Sequence, residues 1–235
     1  MYDKSDPRAA LAPASAASSP QWTAYSPADY SRFYETEPHE SGPWGRTWLT
    51  RGQNAIVAYS EVEAGAQFDR KGQVDEWVLL LPDASTSATV AAGGETKAIE
   101  GYSVTFVPPG DSTVVVNAGG RVIRLFTTQS ADLAVRCANA AAHGERHQNM
   151  PPFQPWPVPP DGYKIRTYSL DVPDEPGRFG RIWRCTTFMV NFSPRRSGPG
   201  TSRNSRHTIT TSSSNTRLPC GDRSSTICAG PGRRT

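Results

Sequence analysis

Between Trp44 and Thr128 the apolar residues come in short runs, each stopped by Gly, Pro or Asp, and this rhythm restricts the fold more than any other feature of the chain. The runs are Arg46-Thr-Trp-Leu-Thr, Asn54-Ala-Ile-Val-Ala-Tyr-Ser-Glu-Val, Glu76-Trp-Val-Leu-Leu-Leu and Ser87-Ala-Thr-Val-Ala-Ala, then Tyr102-Ser-Val-Thr-Phe-Val, Thr113-Val-Val-Val and Arg121-Val-Ile-Arg-Leu-Phe-Thr. They are rich in β-branched and aromatic side chains, which fit a pleated, half-buried surface. Strands recurring at roughly 8–12 residues with turn signals between them belong to a sandwich or a barrel. No stretch over 44–128 has helical periodicity, so the expected class is all-β, a small barrel.

The flanks differ in character. Residues 1–28 are mostly Ala, Ser and Pro, too poor in large apolar side chains to offset the entropy of ordering, and are expected to form a flexible arm. The hydrophobic fraction of 36%, with 21 Pro and 20 Gly, places the apolar shortfall in such segments. Asn149-Met-Pro-Pro-Phe-Gln-Pro-Trp-Pro-Val-Pro-Pro is a stiff connector, since proline cannot donate to a sheet ladder. Beyond it, Tyr163-Lys-Ile-Arg-Thr-Tyr-Ser-Leu and Arg181-Ile-Trp-Arg-Cys-Thr-Thr-Phe-Met-Val-Asn-Phe read as strands again. The chain also repeats itself: Gly42-Pro-Trp-Gly-Arg-Thr-Trp and Gly177-Arg-Phe-Gly-Arg-Ile-Trp each place Gly-Arg-x-Trp at the opening of a strand. After Phe192 the sequence turns to Ser, Arg and Thr, with Asp222 its only acid.

Several function classes fall away. A net charge of +3 is too small to argue for nucleic acid, and the basic tail is not expected to bind it. No apolar run approaches the roughly 20 residues of a membrane helix, and the N-terminus lacks the apolar core of a secretion signal. Cys137, Cys185, Cys220 and Cys228 show no CxxC spacing. A reduced, cytoplasmic protein without membrane attachment is the expectation.

The stretch from Asp75 to Val116 resembles the core of the cupin superfamily, the RmlC-like jelly rolls. Cupins carry a first motif with two histidines and a glutamate, and a second motif of Gly, Pro-x-Gly and a histidine. The second is visible here as Gly101, then Pro108-Pro109-Gly110. Where the family places its second-motif histidine this chain has Thr113, and where it places the histidine pair the chain reads Arg70-Lys71-Gly72-Gln73-Val74. Asp75 and Glu76 remain, but adjacent strand residues point to opposite faces. One carboxylate without imidazole partners is a poor site for Fe, Mn or Zn, so no metal, cofactor or catalytic residue is expected in this chain. His143-Gly-Glu-Arg-His147 could set two imidazoles one helical turn apart, yet no third ligand is near, and it reads as a solvated link.

With the repeat, the resemblance implies a bicupin: a cupin-type double-stranded β-helix barrel over 29–135, a Pro-rich linker over 136–160, the start of a second cupin domain over 161–192, and a disordered tail over 193–235. The tail has the composition of an out-of-frame stretch. Read from the third base of permitted codons, Arg206 to Asn215 can give Pro-His-His-His-Asp-Glu-Phe-Glu-Gln, which contains the His-x-His-x-x-x-Glu spacing of the first cupin motif. The second domain is therefore expected to be interrupted by a frameshift after about Phe192.

As given, the chain is expected to be a non-catalytic cupin-domain protein. The alternative, a metal-dependent dioxygenase or isomerase acting on a small organic acid or sugar with Fe, Mn or Zn, suits an intact relative. Cupin barrels often pair, so the resemblance implies a homodimer. A partial second domain leaves sheet edges and apolar faces uncovered, and truncation near Ala134 is expected to improve solubility.

Overall fold

The structure is a computed structural model that describes residues 31–146, 153–171, 181–193, 207–212 and 225–229. The expected arm over 1–28 lies outside the described residues.

The strands run β1 (Glu40–Gly42), β2 (Gly45–Arg51), β3 (Ala55–Val62), β4 (Gln67–Gln73), β5 (Trp77–Leu81), β6 (Ser87–Ala92), β7 (Glu95–Ile99), β8 (Ser103–Val107), β9 (Gly110–Ala118) and β10 (Gly120–Thr127). A short helix α1 (Ala131–Ala134) follows, then β11 (Arg166–Ser169), β12 (Arg181–Arg184), β13 (Met189–Ser193), β14 (His207–Ser212) and β15 (Ser225–Ala229). One sheet has the order β1-β2-β3-β10-β5-β8-β11, a second β4-β9-β6-β7, and a third β12-β13-β14-β15, with antiparallel pairing throughout.

Counting the eight strands from β3 to β10 as one to eight, the first two sheets contain the orders 1-8-3-6 and 2-7-4-5. Each strand of one sheet passes to the other except at the β6–β7 hairpin, so the ribbon winds as a double-stranded helix. This is the jelly roll, the architecture that cupins share. The expected all-β barrel is the fold observed. β4 and β7 were missed because Gln67-Phe-Asp-Arg-Lys-Gly-Gln and Glu95-Thr-Lys-Ala-Ile are mostly polar, as edge strands with an exposed face can be.

Alternation decides which side chains enter the barrel. β3 and β6 alternate buried and half-buried residues over their full lengths. Ile56, Ala58, Leu79, Val114, Val122 and Phe126 meet in the interior cluster. The second-motif glycine has a steric reason: a Cβ on Gly101 would collide with the carbonyl oxygens of Asp83, Ala84 and Thr86. Gly110 opens β9 at φ 98°, a left-handed conformation that favours glycine.

β5 and β8 are buried on both faces, because the outer face of their sheet is covered as well. Val78, Leu80, Val104, Phe106, Ile123 and Leu125 form a second cluster with Leu170, Cys185, Phe188 and Val190. β11 extends the same sheet by pairing with β8, and Trp156 N–H donates to the Thr186 carbonyl at 2.8 Å. The segment assigned from sequence to a second domain thus packs on the first barrel. Truncation near Ala134, expected from the sequence to improve solubility, would remove the cover from this apolar sheet face. Arg46-Thr-Trp48 lies in β2, paired with β3, and Arg181-Ile-Trp183 lies in β12, paired with β13; Gly180 lies outside the described residues.

Most of the tail lies outside the described residues. The backbones of His207–Ser212 and Ser225–Ala229 extend the β12-β13 pair as strands, and their Thr and Ile content is suited to a pleated backbone. No helix among the described residues is long and apolar enough to cross a membrane.

Candidate functional site

Strands β2, β3, β4 and β10 and the helix α1 enclose a cavity of about 170 Å³ at one end of the barrel interior. Leu49, Ala58, Phe68, Phe126 and Leu133 supply its apolar wall, and Thr47, Gln67, Glu40, Asp69 and three arginines, Arg70, Arg124 and Arg136, its polar lining.

Arg124 occupies the centre of β10 on the face that carries Val122 and Phe126 inward. It is buried, and its guanidinium carbon lies 3.7 Å from the centroid of the Phe68 ring. Among the described residues its one hydrogen bond runs from Nη2 to Ser60 Oγ at 3.4 Å, and its Nε has no partner. No carboxylate among the described residues pairs with it. Burial pushes its pKa down to about 10, with Arg70 and Arg136 adding to the fall and Glu40 opposing it. The group is still a cation at neutral pH. A buried charge without a counter-ion is costly, so the site is electrostatically unfinished.

The other two arginines are paired. Arg70 sits just before a bulge in β4, where the register against β9 slips between Arg70 and Gln73. Its Nη1 donates to Asp132 Oδ2 at 2.6 Å, and its Nε and Nη2 donate to Gln73 Oε1 at 3.0 and 2.8 Å. The Arg70 guanidinium holds the Asp132 carboxyl below its usual range. Gln73 passes the network on, donating to Asp75 Oδ1 and Ser130 Oγ, each at 3.0 Å. Asp75 also accepts from the Thr127 hydroxyl, yet burial raises its pKa overall. Arg136 pairs with Glu40 on the exposed side.

The positions the cupin resemblance singled out can now be placed. Asp75 and Glu76 do point apart: Asp75 turns toward Gln73 and Thr127, while Glu76 meets Arg166 and Thr186 on the outer face. Thr113 faces away from the interior and donates to Asp69 Oδ1 at 2.7 Å. The inward residue is its neighbour Ser112, whose buried hydroxyl has no partner, a one-residue slip that exchanges the faces of a strand. Arg70 and Gln73 stand in the stretch where the family has its histidine pair.

These residues do not fit a first-row metal. A guanidinium cannot ligate, the Gln73 amide is committed to its network, and Ser112 contributes no imidazole or carboxylate. Among the described residues no three His, Cys, Asp or Glu side chains come together to hold a metal ion. His143 packs its ring nitrogens against Gln53 and Asn139, and His147 lies outside the described residues.

Sequence reasoning passed over Arg124, Phe68 and Ser112. For Arg124 there was one signal, a lone cation amid the apolar run Val122-Ile-Arg-Leu-Phe. A second, larger depression of about 570 Å³ is lined by Arg46, Glu61, Glu63, Asp83 and Arg121, and both of its arginines are paired, Arg46 with Glu61 and Arg121 with Asp83.

No family model and no curated protein matches the sequence. Solved structures do. An RmlC-like cupin from Shewanella frigidimarina has 19% identity and a TM-score of 0.39, over 45% of this chain and 96% of that one. KdgF from a Halomonas species has 13% identity and a TM-score of 0.38, over 45% and 98%. A putative glyoxylate-induced protein from Pseudomonas aeruginosa has 13% identity and a TM-score of 0.37, over 74% of this chain and 58% of that one. The likeness says nothing of what this barrel binds.

Proposed function

We propose that this cupin-type jelly roll is a non-catalytic binding module that holds a small molecule inside its barrel. The observation that supports this reading is a cavity of about 170 Å³ in which the buried Arg124 lies against Phe68 with no carboxylate partner among the described residues. Small-molecule pockets are concave, with polar groups converging on an apolar wall, and here the polar lining converges on Leu49, Ala58, Phe68, Phe126 and Leu133. The arginines give no nucleophile and no general base near neutral pH.

The test is a thermal-shift survey of charged and uncharged small molecules on the full chain, with metal content measured in parallel. A ligand that raises the midpoint in the native chain, but not in an A58L variant with a partly filled cavity, supports the reading. A stoichiometric first-row metal whose removal abolishes a reaction would sink it.

A second reading rests on the third-base translation of the tail, which permitted codons allow to spell a His-x-His-x-x-x-Glu motif. An intact relative with that frame restored would be a metal-dependent cupin enzyme, a dioxygenase or isomerase on a small organic acid or sugar using Fe, Mn or Zn. Resequencing the gene from the codon of Met189 onward decides it: codons that cannot yield the motif remove its basis. Pairing of barrels into a homodimer in the cytoplasm is proposed with the first reading, and sedimentation velocity measures the pairing.

A further inference from the structure

We infer that the ligand of the barrel is a compact monocarboxylate with an apolar body, its carboxylate clamped by Arg124 and its body laid against Phe68, Phe126 and Leu49. This rests on the binding-module reading and adds the ligand's chemical class.

The charges around the cavity select the class. Arg70 is matched by Asp132 and Arg136 by Glu40, while the Asp69 carboxylate is exposed and takes hydrogen bonds from Thr113 and Gln67. That leaves Arg124 as the cation without an anion among the described residues, and its Nε without an acceptor. One negative charge completes the site. A second would find no unmatched cation in the lining among the described residues, since Arg70 and Arg136 already have carboxylates, and this disfavours dicarboxylates and phosphate.

The geometry suits a carboxylate in particular. The ring centroid of Phe68 lies 3.7 Å from the guanidinium carbon, and the 3.4 Å contact of Nη2 with Ser60 Oγ is the one hydrogen bond the group makes among the described residues. A planar fork meeting a planar carboxylate is the bidentate pairing that arginine forms best. The volume sets the size. A cavity of about 150 Å³ lined by apolar side chains admits benzene, and this one, at about 170 Å³, has room for an acid of that scale.

The experiment is calorimetric titration of the full chain with benzoate, its uncharged isostere benzamide, and inorganic phosphate. Benzoate is expected to bind roughly tenfold to a hundredfold tighter than benzamide, the factor for a hydrogen bond to a charged group. Phosphate is expected not to bind. R124M should erase the preference for benzoate, and R124K, which keeps the charge but not the fork, should retain part of it. Circular dichroism shows whether each variant is folded, and F68L supplies an independent probe of the clamp should R124M fail to fold. Benzamide binding as tightly as benzoate, or R124M retaining the preference, overturns the carboxylate assignment and leaves the binding-module reading standing. Binding of neither probe to the folded chain also overturns it. Only failure of every molecule in the wider survey carries the underlying reading down as well.

Discussion

Glu76 and Thr186, 110 residues apart, are joined twice: Glu76 Oε2 accepts from the Thr186 backbone N–H at 2.7 Å and from its hydroxyl at 2.8 Å. The other carboxylate oxygen takes Arg166 Nη2 at 2.9 Å, and the Glu76 carbonyl accepts from the Thr187 hydroxyl at 2.8 Å. Glu76 is fully buried, so this carboxylate is the polar rivet through the apolar contact between barrel and C-terminal segment. Its acceptors are all engaged, which is what makes a buried charge tolerable.

Replacing Glu76 by Gln sets an amide NH₂ among three donors and leaves Arg166 unpaired. Removing one partner of a buried ion pair costs about 3 kcal/mol, and E76Q is expected to lose about that much in urea unfolding. R166M should cost less, since Arg166 is partly exposed, and the double variant should cost less than the two single losses together. An E76Q protein as stable as the native chain would show that the rivet contributes nothing.

A chain ending at Ala134 keeps all eight jelly-roll strands yet uncovers Val78, Leu80, Val104, Phe106, Ile123 and Leu125. Each large apolar side chain removed from water contributes roughly 1.5–3 kcal/mol, and the exposed patch invites association. The truncated chain is expected to melt lower and to aggregate at concentrations where the full chain does not. Light scattering during a thermal ramp measures both. A truncated chain that is as stable and more soluble would restore the picture of an independent first barrel.

The same double cover explains what could be read from the sequence. Trp77-Val-Leu-Leu-Leu and Ser103-Val-Thr-Phe-Val announced themselves as buried strands, and Gly101 with Pro108-Pro109-Gly110 marked the turns between them. In Arg121-Val-Ile-Arg-Leu-Phe-Thr, however, both faces are buried, so alternation could not tell inward from outward and Arg124 gave no sign of its direction. The bulge at Arg70–Gln73 has no sequence signature beyond Gly72, and around it Arg70 reaches both Asp132 and Gln73. Glu76 looked like a stranded ligand because its partners lie ninety and more residues away.

Burial also sets the response to alkali. It pushes the Cys137 and Cys185 thiols up to about 11 and the Tyr59 phenol up to about 12. The folded chain therefore holds these protons at pH values where the unfolded chain releases them. Their contribution is fully present below about pH 9, the unfolded thiol value, and is lost as pH climbs toward 11. Arg124 works the other way, but only above about pH 10, where the folded state begins to shed its proton before the unfolded state does. The urea midpoint is expected to fall between pH 8 and pH 10, and a midpoint that rises over this interval contradicts the burial of the thiols.

Arg124 should cost the empty barrel stability in proportion to what it offers a ligand. Replacing a buried, poorly compensated ion by an apolar side chain of similar length is often neutral or stabilising by roughly 1–4 kcal/mol. Methionine can lie along Phe68 as the guanidinium does, and it leaves no unmatched Nε in the interior. R124M is thus expected to raise the melting temperature by a few degrees in the absence of ligand, while a bound carboxylate narrows or reverses the gap by stabilising only the native chain. Differential scanning calorimetry with and without benzoate measures both halves. If R124M melts well below the native chain without ligand, the guanidinium is a packing element held by Phe68 and Ser60, and its missing anion was never needed.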